Sequence, residues 1–115
     1  MANTFKLVTK AGVTSADVIY TVAGSTTTVI LGIMLGNTTT SQVTSTVTIE
    51  SDPGNRSGSN DESNQNVELV TNAPIPSGAS LELLAGNKVI METTDVLKFT
   101  ASGAKDIELS VMEIT

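Results

Sequence analysis

No cysteine and no histidine occur among the 115 residues. The first absence excludes disulfides and thiolate metal sites, and with them any argument for an oxidising compartment. The second removes the usual general base at neutral pH and the commonest metal ligand. Aromatic residues are scarce: Phe5, Tyr20 and Phe99 are the whole set, whereas a platform for bases or sugar rings uses several exposed rings. Six basic residues stand against twelve acidic ones, for a formal charge of −6. Scattered singly, the six form no track for a nucleic-acid backbone, so no nucleic-acid partner is expected. The mild acidity instead suits a threonine-rich β protein that must stay dissolved. No apolar run approaches the roughly 18 residues of a transmembrane helix, and the N-terminal stretch lacks a basic segment followed by an apolar one. The expectation is a chain made in the cytoplasm, with no signal peptide and no membrane partner.

The most apolar stretch present is 27–37, Thr-Thr-Val-Ile-Leu-Gly-Ile-Met-Leu-Gly-Asn. It is rich in β-branched residues and bounded by Thr, Ser and Gly, which marks a buried strand rather than a helix. Read with period two, Val29, Leu31, Ile33 and Leu35 form the core face, each burial contributing roughly 1.5–3 kcal/mol. The opposite face, Ile30, Gly32, Met34 and Gly36, is apolar but flat. Glycine inside a strand often marks the close approach of another backbone or a partner.

Around this strand the chain reads as a series of short β segments. Phe5 to Thr9 is a first strand with Phe5 and Leu7 inward, turning at Ala11-Gly12. Residues 17–22 form a second, with Val18, Tyr20 and Val22 on one face, and Ala23-Gly24-Ser25 makes a hairpin into the stretch 27–37. Residues 43–50 show the cleanest alternation: Val43, Val47 and Ile49 in, Thr44, Thr46, Thr48 and Glu50 out. The polar segment 51–65 reads as a long exposed loop, and 66–71 resumes the sheet. The prolines of 72–78 make a rigid bend. Residues 79–84 and 88–92 pair as a hairpin through Ala85-Gly86-Asn87, and 95–100 and 107–114 complete the set. About nine strands at this spacing, with no helical period, define an all-β fold, a single-domain antiparallel β-sandwich over 1–115. Jelly-roll and immunoglobulin-like Greek-key connections both fit.

Chemistry is sparse. The twelve carboxylates fall at outward strand positions or in loops, where solvation is the ordinary state, and no aromatic cleft serves a carboxylate pair acting on a sugar. No catalytic residue, cofactor or metal site is expected, and the chain does not read as an enzyme. Asp52, Asn55, Asn60, Asp61 and Glu62 offer oxygen donors for Ca²⁺ but lack EF-hand spacing, and the segment is equally a flexible linker. Asn37-Thr38-Thr39 and Asn55-Arg56-Ser57 match the glycosylation sequon, as chance allows in a Thr/Ser-rich chain. Met34, Met91 and Met112 read as core filler.

What remains is an apolar surface. Ile30, Gly32, Met34 and Gly36, joined by Ile90, Met112 and Ile114, form a patch larger than a monomer normally exposes if they share one sheet face. Phe5 and Leu7 join them as candidates, because N-terminal residues are easily lent to a neighbour. These nine are the candidate subunit interface.

The run 73–83, Ala-Pro-Ile-Pro-Ser-Gly-Ala-Ser-Leu-Glu-Leu, with the turn after it, Lys88-Val89-Ile90-Met91, Asp95-Val96-Leu97-Lys98, and the stretches 28–31 and 35–39, resembles small virion structural proteins of tailed bacteriophages, those of cyanobacterial and marine hosts especially. The resemblance covers nearly the whole chain; where such proteins tend to carry Gly-Asp before the penultimate strand, this one has Thr94-Asp95. It implies a β-sandwich that binds other virion proteins and carries no catalytic residues. The expected function is a capsid decoration (cement) protein on the virion head, a homotrimer bridging major capsid protein subunits. A tail, neck or short-fibre component is the alternative, and a stand-alone carbohydrate- or calcium-binding sandwich a further one.

Overall fold

A computed structural model describes residues 2–51, 65–84 and 88–115. In chain order its strands are β1 (Asn3–Val13), β2 (Asp17–Thr21), β3 (Thr27–Asn37), β4 (Val43–Ser51), β5 (Gln65–Ile75), β6 (Ser80–Leu83), β7 (Val89–Met91), β8 (Val96–Ala101) and β9 (Lys105–Ile114). They form two antiparallel sheets packed face to face. Sheet A has the order β1-β9-β3-β6, with β7 also on β3; sheet B has the order β2-β8-β4-β5. No helix occurs among the described residues.

This order decides the connectivity. β4 pairs with β5, β3 with β6 and β7, β2 with β8, and β1 with β9. The chain is thus one long antiparallel ribbon, nested from both ends, that wraps over so that successive pairs alternate between sheets. That is a jelly roll, not an immunoglobulin-like key. The core between the sheets includes Ile30, Ile33 and Leu35 of β3, Val43 and Val47 of β4, Ile75, Met91, Leu97 and Phe99, and Ile107, Leu109 and Val111 of β9.

Several local expectations are corrected, each for a physical reason. Residues 23–25 do not close a hairpin, since β2 and β3 belong to different sheets and the segment crosses the sandwich. β6 and β7 do not pair with each other. They lie end to end along one edge of β3, Leu83 opposite Ile33 and Val89 opposite Ile30; the residues 85–87 given to their turn fall outside the described ones. β1 runs through Ala11 and Gly12 to Val13, its register with β9 shifting between Lys10 and Val13. β5 likewise continues to Ile75. Pro74 is tolerated because β5 is an edge strand, and the bend comes later, where Ala79 N donates to Pro76 O at 3.1 Å and Gly78 has φ 71°.

The parity of β3 also changes. Ile30 pairs with Val111 and Gly32 with Ser110, so Leu31 is the extra residue of a β-bulge. Inward positions are therefore Thr28 and Ile30 before the bulge and Ile33, Leu35 and Asn37 after it, all buried. Val29 and Leu31 do not belong to the core face, and Ile30 does. A bulge at Ile19 acts similarly on β2, leaving Val18 exposed while Tyr20 and Val22 are buried. β4 follows its alternation, with the small Ser45 buried among the valines. Of the three methionines assigned to the core, Met91 is there; Met34 is exposed and Met112 half-buried.

Candidate functional site

The two outer faces of the sandwich differ in chemistry. That of sheet B carries Thr44, Thr46, Thr48 and Thr100, and Lys98 bridges Glu50 at 2.7 Å. It is an ordinary solvated face. That of sheet A is apolar at one end. Phe5 lies opposite Met112, Met112 opposite Val29, and Val29 opposite Ile90, so one row of four apolar side chains crosses β1, β9, β3 and β7. Phe5 is 73% exposed, Leu7 68% and Ile90 66%. Cross-strand neighbours on one face sit about 4.5–5.5 Å apart, so the row is a continuous strip. Ile114 flanks it, paired with Asn3 and Thr27.

Farther along the same face, Gly32 pairs with Ser110, Met34 with Glu108 and Glu82, and Gly36 with Asp106 and Ser80. Here the surface sinks into a depression of about 430 Å³ lined by Lys10, Ala11, Met34, Gly36, Asp106 and Glu108. Gly36 helps to open that space. A Cβ on Gly32 would meet nothing within 4 Å, and one on Gly36 only Asp106 O at 4.0 Å.

Gly32, Met34, Gly36, Phe5, Leu7, Ile90, Met112 and Ile114 thus share one surface. Ile30 does not: it lies in the core with no exposure, because the Leu31 bulge puts it on the other side of the sheet. Phe5 and Leu7 point outward, correcting the inward reading of the first strand; alternation shows which residues share a side but not which side is covered. Sequence reasoning missed Val29, taken for core, and the carboxylates Glu82, Asp106 and Glu108. Their signal was parity with Met34 and Met112 on neighbouring strands.

Tyr20 and Lys105 carry polar groups inside the sandwich. Tyr20 Oη hydrogen-bonds Thr28 Oγ1 at 2.8 Å and donates to Glu113 Oε2 at 2.5 Å, while Glu113 Oε1 pairs with Lys6 Nζ at 3.0 Å. This chain of contacts links β2, β3, β9 and β1 and closes the seam where the two sheets meet. Burial, then the Glu113 hydrogen bond, push the Tyr20 hydroxyl up to about 12. The Tyr20 hydrogen bond and then Lys6 hold Glu113 below its ordinary range. Lys105 is fully buried, its ammonium donating to Ser45 Oγ and to Thr100 O at 3.3 Å. Neither arrangement opens to solvent with the geometry of a nucleophile and its base.

Asn37 settles one sequon. Its Nδ2 donates to Ser41 O at 2.8 Å and Ile75 O at 2.9 Å, and its Oδ1 accepts from Thr39 N and Thr39 Oγ1, both at 2.8 Å. With 4% exposure and every amide position used, it pins the β3–β4 connection rather than offering a glycan acceptor. The second sequon at Asn55, the Ca²⁺ donor set and nearly all of the loop 51–65 lie outside the described residues. Among the described residues no group of three or more Asp, Glu, His or Cys is placed to hold a metal ion, and no helix is long and apolar enough to cross a membrane.

The chain matches no protein-family model and no curated protein. Among solved structures it is similar to one from Bacillus endospore appendages, described as a novel family of disulfide-linked pili. Identity is 15% and the TM-score 0.48, covering 99% of this chain and 87% of that one. This chain has no cysteine, so the disulfide link named there has no counterpart in it.

Proposed function

We propose that this protein is a non-enzymatic virion structural protein of the capsid decoration type, docking onto major capsid protein through the outer face of sheet A. The observation that carries the docking is the four-strand row Phe5, Met112, Val29 and Ile90, apolar throughout, with Phe5 and Ile90 exposed and Met112 and Val29 half-buried between them, beside a threonine-covered opposite face. An apolar centre within a polar rim is the anatomy of a protein interface. The virion location rests on the sequence resemblance alone. Homotrimer formation belongs to the same proposal. Binding only to the assembled shell would stabilise that shell by mass action.

The test mixes the purified chain with expanded phage heads assembled without it, after its oligomeric state is measured by sedimentation velocity. Saturable binding that is lost in F5S and I90S, with the melting temperature kept, is the expected result. A monomer that leaves heads unbound, in both native and variant forms, overturns the reading.

A further inference from the structure

Gly32 and Gly36 have no internal reason to be glycine. Neither has a positive φ, and a Cβ on either would stand in open space or ordinary contact. Glycine in a strand interior costs about 0.5–1 kcal/mol relative to alanine, so the fold itself would tolerate a larger residue at both. The absent side chain of Gly36 helps to open the depression beside Met34. The charge around that depression has one dominant sign. Asp106 uses Oδ1 to accept from Gly12 N at 3.1 Å, and Glu108 uses Oε2 to accept from Ser110 Oγ at 2.5 Å. Among the described residues Asp106 Oδ2, Glu108 Oε1 and the Glu82 carboxylate have no partner. The cation in the lining, Lys10, is paired with Asp17 at 2.8 Å.

Resting on the docking reading above, we infer that the outer face of sheet A recognises a protein partner that sets a basic side chain, arginine or lysine, into the depression over Gly36 while its apolar residues cover the Phe5–Ile90 row. From Met112 to Glu108 is four residues along β9, about 13 Å at strand rise, and this is the spacing the partner's apolar and basic groups match. A long basic side chain suits the site because its stem packs on Ala11 and Met34 while its head meets the carboxylates. A second copy laid over the full face fits poorly. A twofold along the strands sets carboxylates on carboxylates, and one across them sets carboxylates on the apolar row.

The experiment uses the full chain, ¹⁵N-labelled, and two capped extended decapeptides. One carries two isoleucines near one end and two arginines near the other; its twin carries glutamates for the arginines. The arginine peptide is expected to shift the amides of Met34, Gly36, Asp106 and Glu108. Its affinity should fall at least threefold in the double variant D106N/E108Q and at least threefold between 50 and 500 mM salt. G36V, which fills the depression, should lose the peptide while melting no lower than the native chain. Equal binding of both peptides, or binding unaffected by G36V, overturns the basic-anchor inference and leaves the apolar docking reading standing. Absence of shifts with either peptide overturns the inference too, and the head-binding assay then decides the docking reading separately. A concentration-dependent dimer abolished by G36V overturns it in favour of a second copy.

Discussion

The Lys105 ammonium lies 5.4 Å from the centre of the Phe99 ring, inside the core and out of reach of solvent. Its partners are a hydroxyl and a carbonyl, Ser45 Oγ and Thr100 O, and no ion pair joins it to a carboxylate among the described residues. Burial brings its pKa down from 10.5 to about 8.

That shift predicts a stability gain with rising pH. The unfolded chain keeps the Lys105 proton to about pH 10.5, and the folded chain releases it from about pH 8. Between the two the unfolded state binds more protons, so stability rises, by at most about 3 kcal/mol. Urea denaturation at pH 7.5, 9 and 10 measures it. K105M should be flat across that window, and a native chain equally flat would show that the ammonium is solvated after all.

Tyr20 predicts the opposite trend higher up. Its folded pKa of about 12 exceeds the ordinary 10, so the folded state holds a proton that the unfolded state has already lost, and stability falls across pH 10–12. Together with Lys105 this sets a stability maximum near pH 10. Y20F should remove the decline above pH 10 and cost about 2 kcal/mol at pH 7 through the two lost hydrogen bonds, to Thr28 and Glu113.

Glu113 governs the acid side. Its folded pKa lies below the ordinary 4.5, so its contribution is present above that value and is lost as pH falls through the lowered one. E113Q should be less stable than the native chain at pH 7 and should lose less on acidification, as chemical denaturation at pH 7 and pH 3 would show.

The two sides of β3 should respond differently to truncation. I30A removes a fully buried side chain and should cost about 2–5 kcal/mol. F5S and I90S alter largely exposed positions and should stay within about 0.5 kcal/mol of the native chain. Thermal melts of the three separate core from surface; a large loss in I90S would place it in the core instead.

N37A should cost about 1–3 kcal/mol, because the buried carbonyl of Ile75 loses its donor, whereas Ser41 O keeps the Thr39 hydroxyl. The native chain made in a glycosylating host should show no glycan at Asn37 by peptide mass mapping.

How much of this was legible depended on contrast between neighbouring residues. β4 alternates valine and threonine, so its faces were readable without a structure. β3 is apolar on both sides, so nothing in its composition betrays the bulge at Leu31, and parity was right for Ile33 and Leu35 but reversed at Val29 and Ile30. The outer-face residues after the bulge and on β7 and β9 kept their grouping, which is why Ile30 alone falls away from it. The jelly-roll order was not legible, since strand lengths and spacings are the same for either connection. The buried Lys105 was hidden because it begins a strand directly after Ser102-Gly103-Ala104, where a lysine reads as part of an exposed turn.

The nested ribbon has a kinetic consequence. Its outermost pair joins Asn3 to Ile114, and Ala2 exchanges backbone hydrogen bonds with Thr115 at 2.9 and 3.2 Å, so nearly the whole chain lies inside the last loop to close. Contacts so distant along the sequence put the protein among the high-contact-order β folds, which reach the native state in milliseconds to seconds. β1 is the strand set to zip last. Until it does, β9 stands as a raw sheet edge, and crowding by other nascent copies at that moment competes directly with completion of the fold.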